Sequence, residues 1–249
     1  MATLSNIPSR SLKDKVAIVT GAGSAGEGIG NGRAAAILLA QDGCHVVCVD
    51  SQPELAERTV TMISELGFVQ AVAFTGDVSL AADCERIVQK AVTEFGRLDI
   101  LINNVGIGGP MGTAVDVDVE GWAKGLEVNV TSMMLMAKYA IPVMEKNEPE
   151  GGIRGSIVNM GSVAGIKGGT PWLLYPTSKG AVVNMTRAMA FQHGQQGIRV
   201  NCVCPGKNYA SRALVSSKAN GDQEHYTPPW YLREGCQRSF ASPGRVGRF

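Results

Sequence analysis

Short, almost wholly apolar runs alternate along this chain with longer segments in which apolar residues recur at helical spacing. The segments between the runs predict helices over Gly32–Gln41, Pro53–Leu66, Ala81–Phe95, Glu120–Lys146 and Lys179–His193. The runs themselves predict strands over Lys15–Thr20, His45–Asp50, Ala71–Phe74, Asp99–Asn103, Ser156–Met160 and Arg199–Val203. Strands that are apolar on both faces are typical of parallel sheets covered by helices. The repetition predicts an α/β fold, a doubly wound parallel sheet with right-handed crossovers.

The alternating pattern ends after Pro205. Residues 207–249 mix glycine, proline, serine and charged residues without a clear period, apart from a short helix-like stretch at Ser211–Ala219. No linker, repeat or low-complexity segment divides the chain. We therefore interpret residues 1–249 as a single domain, with an N-terminal extension over 1–14 and an irregular lid or tail over 207–249.

Composition and charge narrow the class of protein. Lysine and arginine number 23 against 22 aspartate and glutamate, a net charge of +1, which predicts no nucleic acid partner and no attraction to an anionic membrane. No run reaches the roughly 18 apolar residues of a membrane span. The six cysteines form no C-x-x-C pair, which favours buried free thiols in a reducing compartment over disulfides or a metal site. We expect a soluble cytoplasmic protein.

A glycine-rich turn follows the first predicted strand, from Gly21 through Gly28-Ile29-Gly30 to Gly32. Such a turn lets the backbone approach a pyrophosphate, whose charge then meets a helix N-terminus. A surface turn would have the same composition, but the position directly after a first strand favours nucleotide binding. Asp50 ends the second strand, where its carboxylate can accept hydrogen bonds from a ribose or cap the next helix.

The strongest chemical pattern is Tyr175-Pro176-Thr177-Ser178-Lys179. Residues four apart share one helix face, so the ammonium of Lys179 can lie near the phenol of Tyr175. A cation beside a tyrosine favours the phenolate and brings the group toward acid–base use at neutral pH. Asn129, Ser162 and the strand-end segments Asp77-Val78, Asn103-Asn104-Val105-Gly106 and Pro205-Gly206 accompany the pair.

Over Lys15 to about Gly206 these motifs, in this order, resemble the short-chain dehydrogenase/reductase superfamily. The resemblance implies a Rossmann-like sheet that binds NAD(H) or NADP(H), and hydride transfer between the nicotinamide and an alcohol or carbonyl carbon. It implies that Tyr175 is the acid/base, that Lys179 lowers the tyrosine pKa and binds the nicotinamide ribose, and that Ser162 polarises the substrate oxygen. Asn129 would anchor a water that connects Lys179 with solvent.

The same resemblance implies the cofactor contacts. Asp77 and Val78 would meet the adenine, Asn104 and Gly106 would line the ribose side, and Asp50 would favour NAD over NADP. The full set expected to bind the cofactor is Gly21, Gly28, Ile29, Gly30, Gly32, Asp50, Asp77, Val78, Asn104, Gly106, Tyr175, Lys179, Pro205 and Gly206.

Three departures from the family pattern bear on these expectations. About five extra residues lie in the glycine turn, so the last two family glycines are either Gly30 and Gly32 or Gly28 and Gly30. The threonine that usually follows P-G is absent, and Ser211 is its nearest substitute. The segment Pro243–Gly247 resembles one that normally precedes a last helix and strand, so we expect the sixth strand to be left as an exposed edge, with low stability, self-association and weak catalysis.

The predicted function is an NAD(P)-dependent oxidoreductase acting on a small to medium, cyclic or aromatic secondary alcohol or ketone, with NAD as the expected cofactor and NADP possible. A homo-oligomer is compatible with the family. Two alternatives stay open from the sequence alone. One is a dinucleotide-binding scaffold or sensor with little catalysis, and the other is an isomerase or cyclase built on the same fold.

Overall fold

The computed structural model of the chain describes residues 11–24, 28–68, 70–167 and 170–206. Six parallel strands form one sheet in the order β3-β2-β1-β4-β5-β6. They are β1 (Val16–Thr20), β2 (His45–Asp50), β3 (Ala71–Thr75), β4 (Ile100–Asn103), β5 (Gly155–Met160) and β6 (Ile198–Val203). The predicted doubly wound, Rossmann-like α/β fold is confirmed.

Helices connect the strands and cover both faces of the sheet. They are α1 (Asn31–Gln41), α2 (Pro53–Glu65), α3 (Ala81–Phe95), α4 (Val119–Leu126), α5 (Ser132–Met144) and α6 (Leu174–His193). Among these described residues, no helix combines the length and the apolar character needed to cross a bilayer. The predicted lid or tail over 207–249, which includes Ser211, and residues 1–10 of the predicted extension lie outside the described residues.

Strand residues pack alternately into two apolar layers because successive side chains point to opposite faces. Val16, Ile18, Val47 and Val49 belong to the layer that includes α3 and α5 residues. Their chain neighbours Val19, Val46 and Cys48 belong to the layer that includes α1 and α2 residues. All five residues of β1 are buried, which explains why this strand reads as a continuous apolar run rather than an alternating one.

The predicted helix over Glu120–Lys146 is helical throughout Val119–Met144, but it is not a uniform α-helix. Between α4 and α5 the five residues Glu127–Thr131 form a turn of π-helix, a wider hydrogen-bond pattern that is rare and frequently found at functional sites. The apolar periodicity carried no sign of this turn. Asn129 lies in it.

Candidate active site

The order of the strands in the sheet reverses between β1 and β4, so a crevice lies at the carboxyl ends of these two central strands. The Thr20 hydroxyl donates to the carbonyl of Ile102 at 3.3 Å and accepts from the amide of Asn104 at 3.1 Å. The Asn104 side chain donates to the carbonyl of Gly21 at 3.0 Å. These bonds join the glycine turn to the end of β4. Ligands of open α/β sheets bind at this kind of crevice.

One cavity of about 300 Å³ opens at this edge, and we call it the Tyr175 cavity. Its lining residues come from the ends of β5 and β6, from α6, from the first residue of α1 and from the β4–α4 connection. They are Asn31, Asn104, Gly106, Met160, Gly161, Ser162, Tyr175, Lys179, Pro205 and Gly206. A polar cleft with one tyrosine, one lysine and one serine at its wall is suited to moving a proton to or from a bound oxygen.

Lys179 brings a nearly inaccessible ammonium group to this cavity. The residue is 3% exposed, its Nζ donates to the Met160 carbonyl at 2.8 Å, and Nζ lies 5.9 Å from the centre of the Tyr175 ring. Burial lowers the pKa of Lys179 below its ordinary value, because removal from water disfavours the charged form. Gly106 has no side chain where a Cβ atom would lie 3.0 Å from this Nζ.

Ser162 is held in place from both sides. Its hydroxyl accepts from the Ala164 amide at 3.1 Å, which caps the short helical turn Val163–Gly165. The amide of Val163 donates to the Pro205 carbonyl at 3.1 Å, so the turn is tied to the chain just after β6. Ser162 is 8% exposed and keeps a hydroxyl hydrogen for a ligand in the cavity.

The Ser162 turn also packs directly on the helix that carries Tyr175 and Lys179. A Cβ atom on Gly165 would overlap the α6 backbone at Lys179 and Gly180, so only glycine permits this close approach. Together with the bond from Lys179 to the Met160 carbonyl, this contact fixes the end of β5 against α6. Serine, tyrosine and lysine therefore share one rigid corner of the fold.

Tyr175 follows Leu174, whose packing fixes the position of the start of α6. Leu174 is completely buried, and its side chain fills the space left by the missing Cβ atoms of Gly109 and Gly125. Tyr175 itself is half-buried at the cavity wall. Leu174 thus packs between two glycines and does not line the Tyr175 cavity.

Asn129 uses its side chain to hold the loop after β4. Its Oδ1 accepts from the Ile107 amide at 2.7 Å, and its Nδ2 donates to the Ile107 carbonyl at 2.8 Å and to the Ser178 hydroxyl at 3.0 Å. Both amide hydrogens are therefore used. Asn129 is completely buried and does not line the Tyr175 cavity, so its side chain connects the π turn, the β4 loop and α6.

A second cavity of about 390 Å³ lies beside the first, and we call it the Asp50 cavity. It is lined by Gly21, Val49, Asp50, Ser51, Gly76, Asp77, Val78, Asn104, Val105, Gly106, Ile107 and Val128. Asn104 and Gly106 line both cavities. The two cavities thus adjoin along the carboxyl edge of the sheet, with the glycine turn and the β4 loop between them.

The Asp50 carboxylate is already hydrogen-bonded but not saturated. One oxygen accepts from the Gly23 amide at 3.0 Å and the other from the Gln52 amide at 3.1 Å. An ionised carboxylate has about four acceptor positions, so two ribose hydroxyls can still donate to it. The Asp50 side chain does not cap α2, because the N-cap residue of that helix is Gln52 and no side chain makes a capping hydrogen bond there.

The glycine turn places its glycines in different environments. A Cβ atom on Gly32, in the first turn of α1, would overlap the Gly21 carbonyl oxygen, so this position allows the helix to pack on the strand. Gly30 is the N-cap of α1, and Gly28 has open space around its Cα. Neither Gly28, Ile29, Gly30 nor Gly32 lines the two cavities described above.

Arg33 uses two of its guanidinium nitrogens in hydrogen bonds to neighbouring segments. Its Nε donates to the Thr59 hydroxyl at 3.0 Å and its Nη1 to the Gly28 carbonyl at 2.8 Å. The residue is completely buried, and burial lowers the pKa of the guanidinium, with the charge of Arg58 acting in the same direction. Arg33 thus fastens the glycine turn to α2.

Comparison with known proteins identifies the fold family. The family model described as short chain dehydrogenase matches residues 15–218. The chain belongs to the short-chain dehydrogenase/reductase family. The predicted membership is confirmed, and so is the prediction that the protein is an oxidoreductase enzyme.

Named members of this family are similar over most of their length. The chain is 40% identical to 2-(S)-hydroxypropyl-CoM dehydrogenase 3 of Xanthobacter autotrophicus, over 80% of this chain and 73% of that protein. It is 35% identical to cyclohexanol dehydrogenase of an Acinetobacter species, over 86% of this chain and 80% of that protein. A solved short chain dehydrogenase from Mycobacterium smegmatis superposes with a TM-score of 0.72 at 29% identity, covering 80% of this chain and 78% of that one.

The structure brings most of the site residues expected for this dehydrogenase family to the two cavities. Ser162, Tyr175, Lys179, Pro205 and Gly206 line the Tyr175 cavity. Gly21, Asp50, Asp77 and Val78 line the Asp50 cavity. Asn31, Met160 and Gly161 also line the Tyr175 cavity and were not singled out from sequence. In the sequence, their positions directly before Gly32 and Ser162 could have indicated that they lie at the site.

Proposed function

We propose that the protein transfers a hydride between NAD(H) and a secondary alcohol or ketone, with Tyr175 as the acid/base. One observation supports this function above others. The buried Lys179 ammonium, the Tyr175 ring 5.9 Å away and Ser162 meet at one cavity. A cation held without water beside a phenol is the arrangement that makes tyrosine useful as a proton donor or acceptor.

The two adjoining cavities fit an extended dinucleotide. The Asp50 cavity lies at the end of β2, where an adenosine ribose would meet the free acceptor positions of Asp50. The glycine turn and the N-terminus of α1 lie between the halves of the site and suit a pyrophosphate. The Tyr175 cavity is left for the nicotinamide half and the substrate. When bound, the nicotinamide supplies the hydride for reduction or accepts it in oxidation.

Ser162, Tyr175 and Lys179 then bind the substrate oxygen and transfer its proton. In the reducing direction, the Ser162 hydroxyl donates to the carbonyl oxygen and stabilises the charge that develops there. The Tyr175 hydroxyl gives its proton to the same oxygen as the alcohol forms. Lys179 stabilises the phenolate left behind, and its ammonium is kept in place by the Met160 carbonyl. In the oxidising direction Tyr175 takes the proton from the alcohol.

The charge around Asp50 supports NAD(H) over NADP(H). A 2′-phosphate would approach the carboxylate, and the repulsion of like charges would weaken its binding. Among the described residues that line the Asp50 cavity, none is lysine or arginine. Arg33, whose guanidinium interacts with the Asp50 charge, is completely buried and donates to Thr59 and Gly28.

The substrate class rests on the chemistry of the site and on two relatives. Both relatives reported above are named as dehydrogenases, and one of them is named for cyclohexanol, a cyclic secondary alcohol. We propose a small to medium secondary alcohol or its ketone, with cyclic compounds as the first to test. Ser162 and Tyr175 would recognise the single oxygen.

The function is tested by following NADH absorbance with cyclic, linear and aromatic ketones, and NAD reduction with the matching alcohols. Tyr175→Phe serves as the inactive control. Turnover that depends on Tyr175 with at least one ketone is the expected result. Tight NADH binding without turnover across the panel would favour the scaffold or sensor alternative. Conversion of a substrate with no net change in NADH would favour the isomerase or cyclase.

A further inference from the structure

Two cysteines lie beside the Tyr175 cavity and take no part in the chemistry proposed above. Cys202 lies near the end of β6, and Cys204 immediately follows the strand. Their Sγ atoms are 3.7 Å apart, since residues two apart on a strand project to the same face. Both residues are free thiols of intermediate exposure. The sequence favoured buried free thiols, and these two are free but only partly buried.

The other described cysteines are much less reactive. Cys44, Cys48 and Cys84 are completely buried. Burial raises the pKa of Cys44 and Cys48 to about 12 and that of Cys84 to about 11, so almost none of these side chains is thiolate at neutral pH. Cys236 lies outside the described residues. Within the described part of the chain, Cys202 and Cys204 are therefore the accessible thiols.

The spacing of the two thiols permits a bond between them. A disulfide needs an S–S distance of about 2.05 Å and a Cα separation of up to about 6.8 Å. Residues two apart on an extended strand have Cα atoms about 6.6 to 6.8 Å apart, at the upper limit for a bridge. Because Cys204 lies just beyond β6, the backbone there has to contract to bring the two Cβ atoms within the range of about 3.5–4.5 Å that a disulfide requires. Disulfides near that limit store strain and are reduced more readily than structural ones. The bond would therefore be reversible.

We propose that Cys202 and Cys204 form an oxidisable dithiol, which a low-molecular-weight disulfide such as glutathione disulfide converts into an intrachain disulfide, and that this conversion slows turnover. The formation of the bond depends only on the two thiols. Its effect on turnover rests on the proposed function of the Tyr175 cavity.

The oxidation proceeds by two thiol–disulfide exchanges. The Cys204 thiolate attacks one sulfur of the small disulfide, whose S–S bond breaks and releases one thiolate. The Cys202 thiolate then attacks the Cys204 sulfur, forms the intrachain S–S bond and releases the second small thiolate. The two protons of the cysteines end on the two released thiolates. The protein thiols are oxidised, and one small disulfide is reduced to two small thiols.

The surroundings assign the first attack to Cys204. Burial raises the pKa of Cys202, and the hydrogen bond with Cys204 acts in the same direction, so Cys202 is the poorer nucleophile and suits the second step. The Lys179 ammonium interacts with both thiols. Burial lowers its pKa, and the charges of Cys202 and Cys204 partly oppose this effect.

The dithiol is mechanically connected to Ser162. A Cβ atom on Gly161 would lie 2.7 Å from the Cys202 sulfur and 2.9 Å from the Cys204 sulfur, so both thiols rest on this glycine. The Gly161 amide donates to the Val203 carbonyl at 2.7 Å. Drawing the two sulfurs together would displace Gly161, which both sulfurs contact. Because Gly161 directly precedes Ser162, this displacement would also move the segment that positions the Ser162 hydroxyl.

The test uses the full chain in glutathione buffers of increasing oxidised fraction, followed by alkylation of free thiols and peptide mapping. Trypsin releases residues 200–207, which contain both cysteines, so the intrachain bond appears as one unalkylated peptide 2 Da below its reduced mass. Amide hydrogen exchange at Gly161 and Val163 reports the displacement without any assay of activity. Cys202→Ser and Cys204→Ser are the test variants, and Cys236→Ser is the control that removes a third thiol.

We expect the unalkylated peptide to appear in the native chain and in Cys236→Ser, with faster exchange at Gly161 and a loss of turnover of about tenfold or more, since one oxyanion donor is worth about 10²–10³-fold. Dithiothreitol should reverse all three. Glutathione stably attached to one cysteine, or a bond to Cys236, would overturn the dithiol. An intrachain bond with unchanged exchange and turnover would overturn its effect on the site. If no ketone is turned over even in the reduced chain, the proposed function fails while the mapping and exchange results still decide the dithiol.

Discussion

At the scale of single residues, the site depends on the buried ammonium group of Lys179, whose removal from water costs free energy. Lys179 is buried, and its ammonium has the Met160 carbonyl as its hydrogen-bond partner. Burying a charge in this way destabilises the fold. The sequence identified the Tyr175–Lys179 pair because residues four apart share a helix face. It did not reveal the depth of burial, which depends on the Gly165 and Gly106 contacts from distant segments.

Tyr175→Phe is expected to lower turnover by about 10²–10⁴-fold, the usual contribution of a general acid or base. NADH affinity should stay within a few-fold, because the ring and Lys179 remain. The matched control is Tyr139→Phe, which removes the same hydroxyl from a tyrosine whose ring lies 5.5 Å from the Lys138 ammonium. Turnover and NADH titration measure both. Near-native turnover by Tyr175→Phe would exclude tyrosine from the proton transfer.

The buried ammonium also predicts a pH dependence of stability. Because the pKa of Lys179 is lowered in the folded chain, the unfolded chain binds more protons between that value and the ordinary pKa of about 10.4. Stability from this group therefore rises with pH across this window, and the full penalty applies below it. The free energy of unfolding of the native chain should rise relative to Lys179→Met as the pH is raised toward the ordinary lysine pKa of about 10.4. Exposed Lys138→Met should show no such trend, and a constant difference for Lys179→Met would contradict the burial penalty.

At the scale of elements, two irregularities position the site within otherwise predictable helices. The strands and helices followed from apolar runs and periodicity, with bounds within a few residues. The predicted core Lys179–His193 lies within α6, which begins at Leu174 and also carries Tyr175. The π turn over Glu127–Thr131 did not. Its cause is the set of bonds from Asn129 to Ile107 and Ser178, partners 22 and 49 residues away that no local pattern can show.

Asn129→Ala is expected to destabilise the protein more than Ser178→Ala. The first change removes all three hydrogen bonds of the buried Asn129 side chain, two of them to the Ile107 backbone, and each is worth about 1 kcal/mol. The second removes one of the three bonds and the contact of the Ser178 hydroxyl with the Tyr175 carbonyl. Denaturant unfolding measures both variants. Equal losses would mean that the Ile107 bonds contribute nothing.

Gly125→Ala is expected to reduce turnover more than NADH affinity. A Cβ atom at position 125 would overlap the Leu174 side chain, and its displacement would move the start of α6 and the adjacent Tyr175. A misplacement of about 1 Å can cost 10²-fold in rate. Gly108→Ala, in open space on the nearby loop, is the control. Leu174→Ala combined with Gly125→Ala should recover part of the turnover, whereas a double variant worse than either single change would reject this packing.

At the scale of the whole molecule, the sheet order brings residues from opposite halves of the chain to one edge. Asp50 comes from the β1–β3 half, and Ser162 and Tyr175 come from the half that begins with β4. The sequence was sufficient to place these groups together, because the carboxyl ends of parallel strands meet at one edge. The glycine register was not decided, since three glycines have the same local signal and only the packing of Gly32 on Gly21 distinguishes them.

A ligand that bridges both halves should stabilise the whole domain according to its affinity. At a concentration of 100 times the dissociation constant the gain is about 2.7 kcal/mol, or about 5–10 °C in the melting temperature of a protein of this size. With both cofactors at one fixed concentration, we expect NADH to raise the melting temperature more than NADPH, because the Asp50 carboxylate repels a 2′-phosphate. Asp50→Ser should narrow or reverse the difference, while Glu57→Ser, which removes an exposed carboxylate from α2, should leave it unchanged. A native chain stabilised more by NADPH would mean that another group sets the cofactor preference, and a chain stabilised by neither would place dinucleotide binding itself in question.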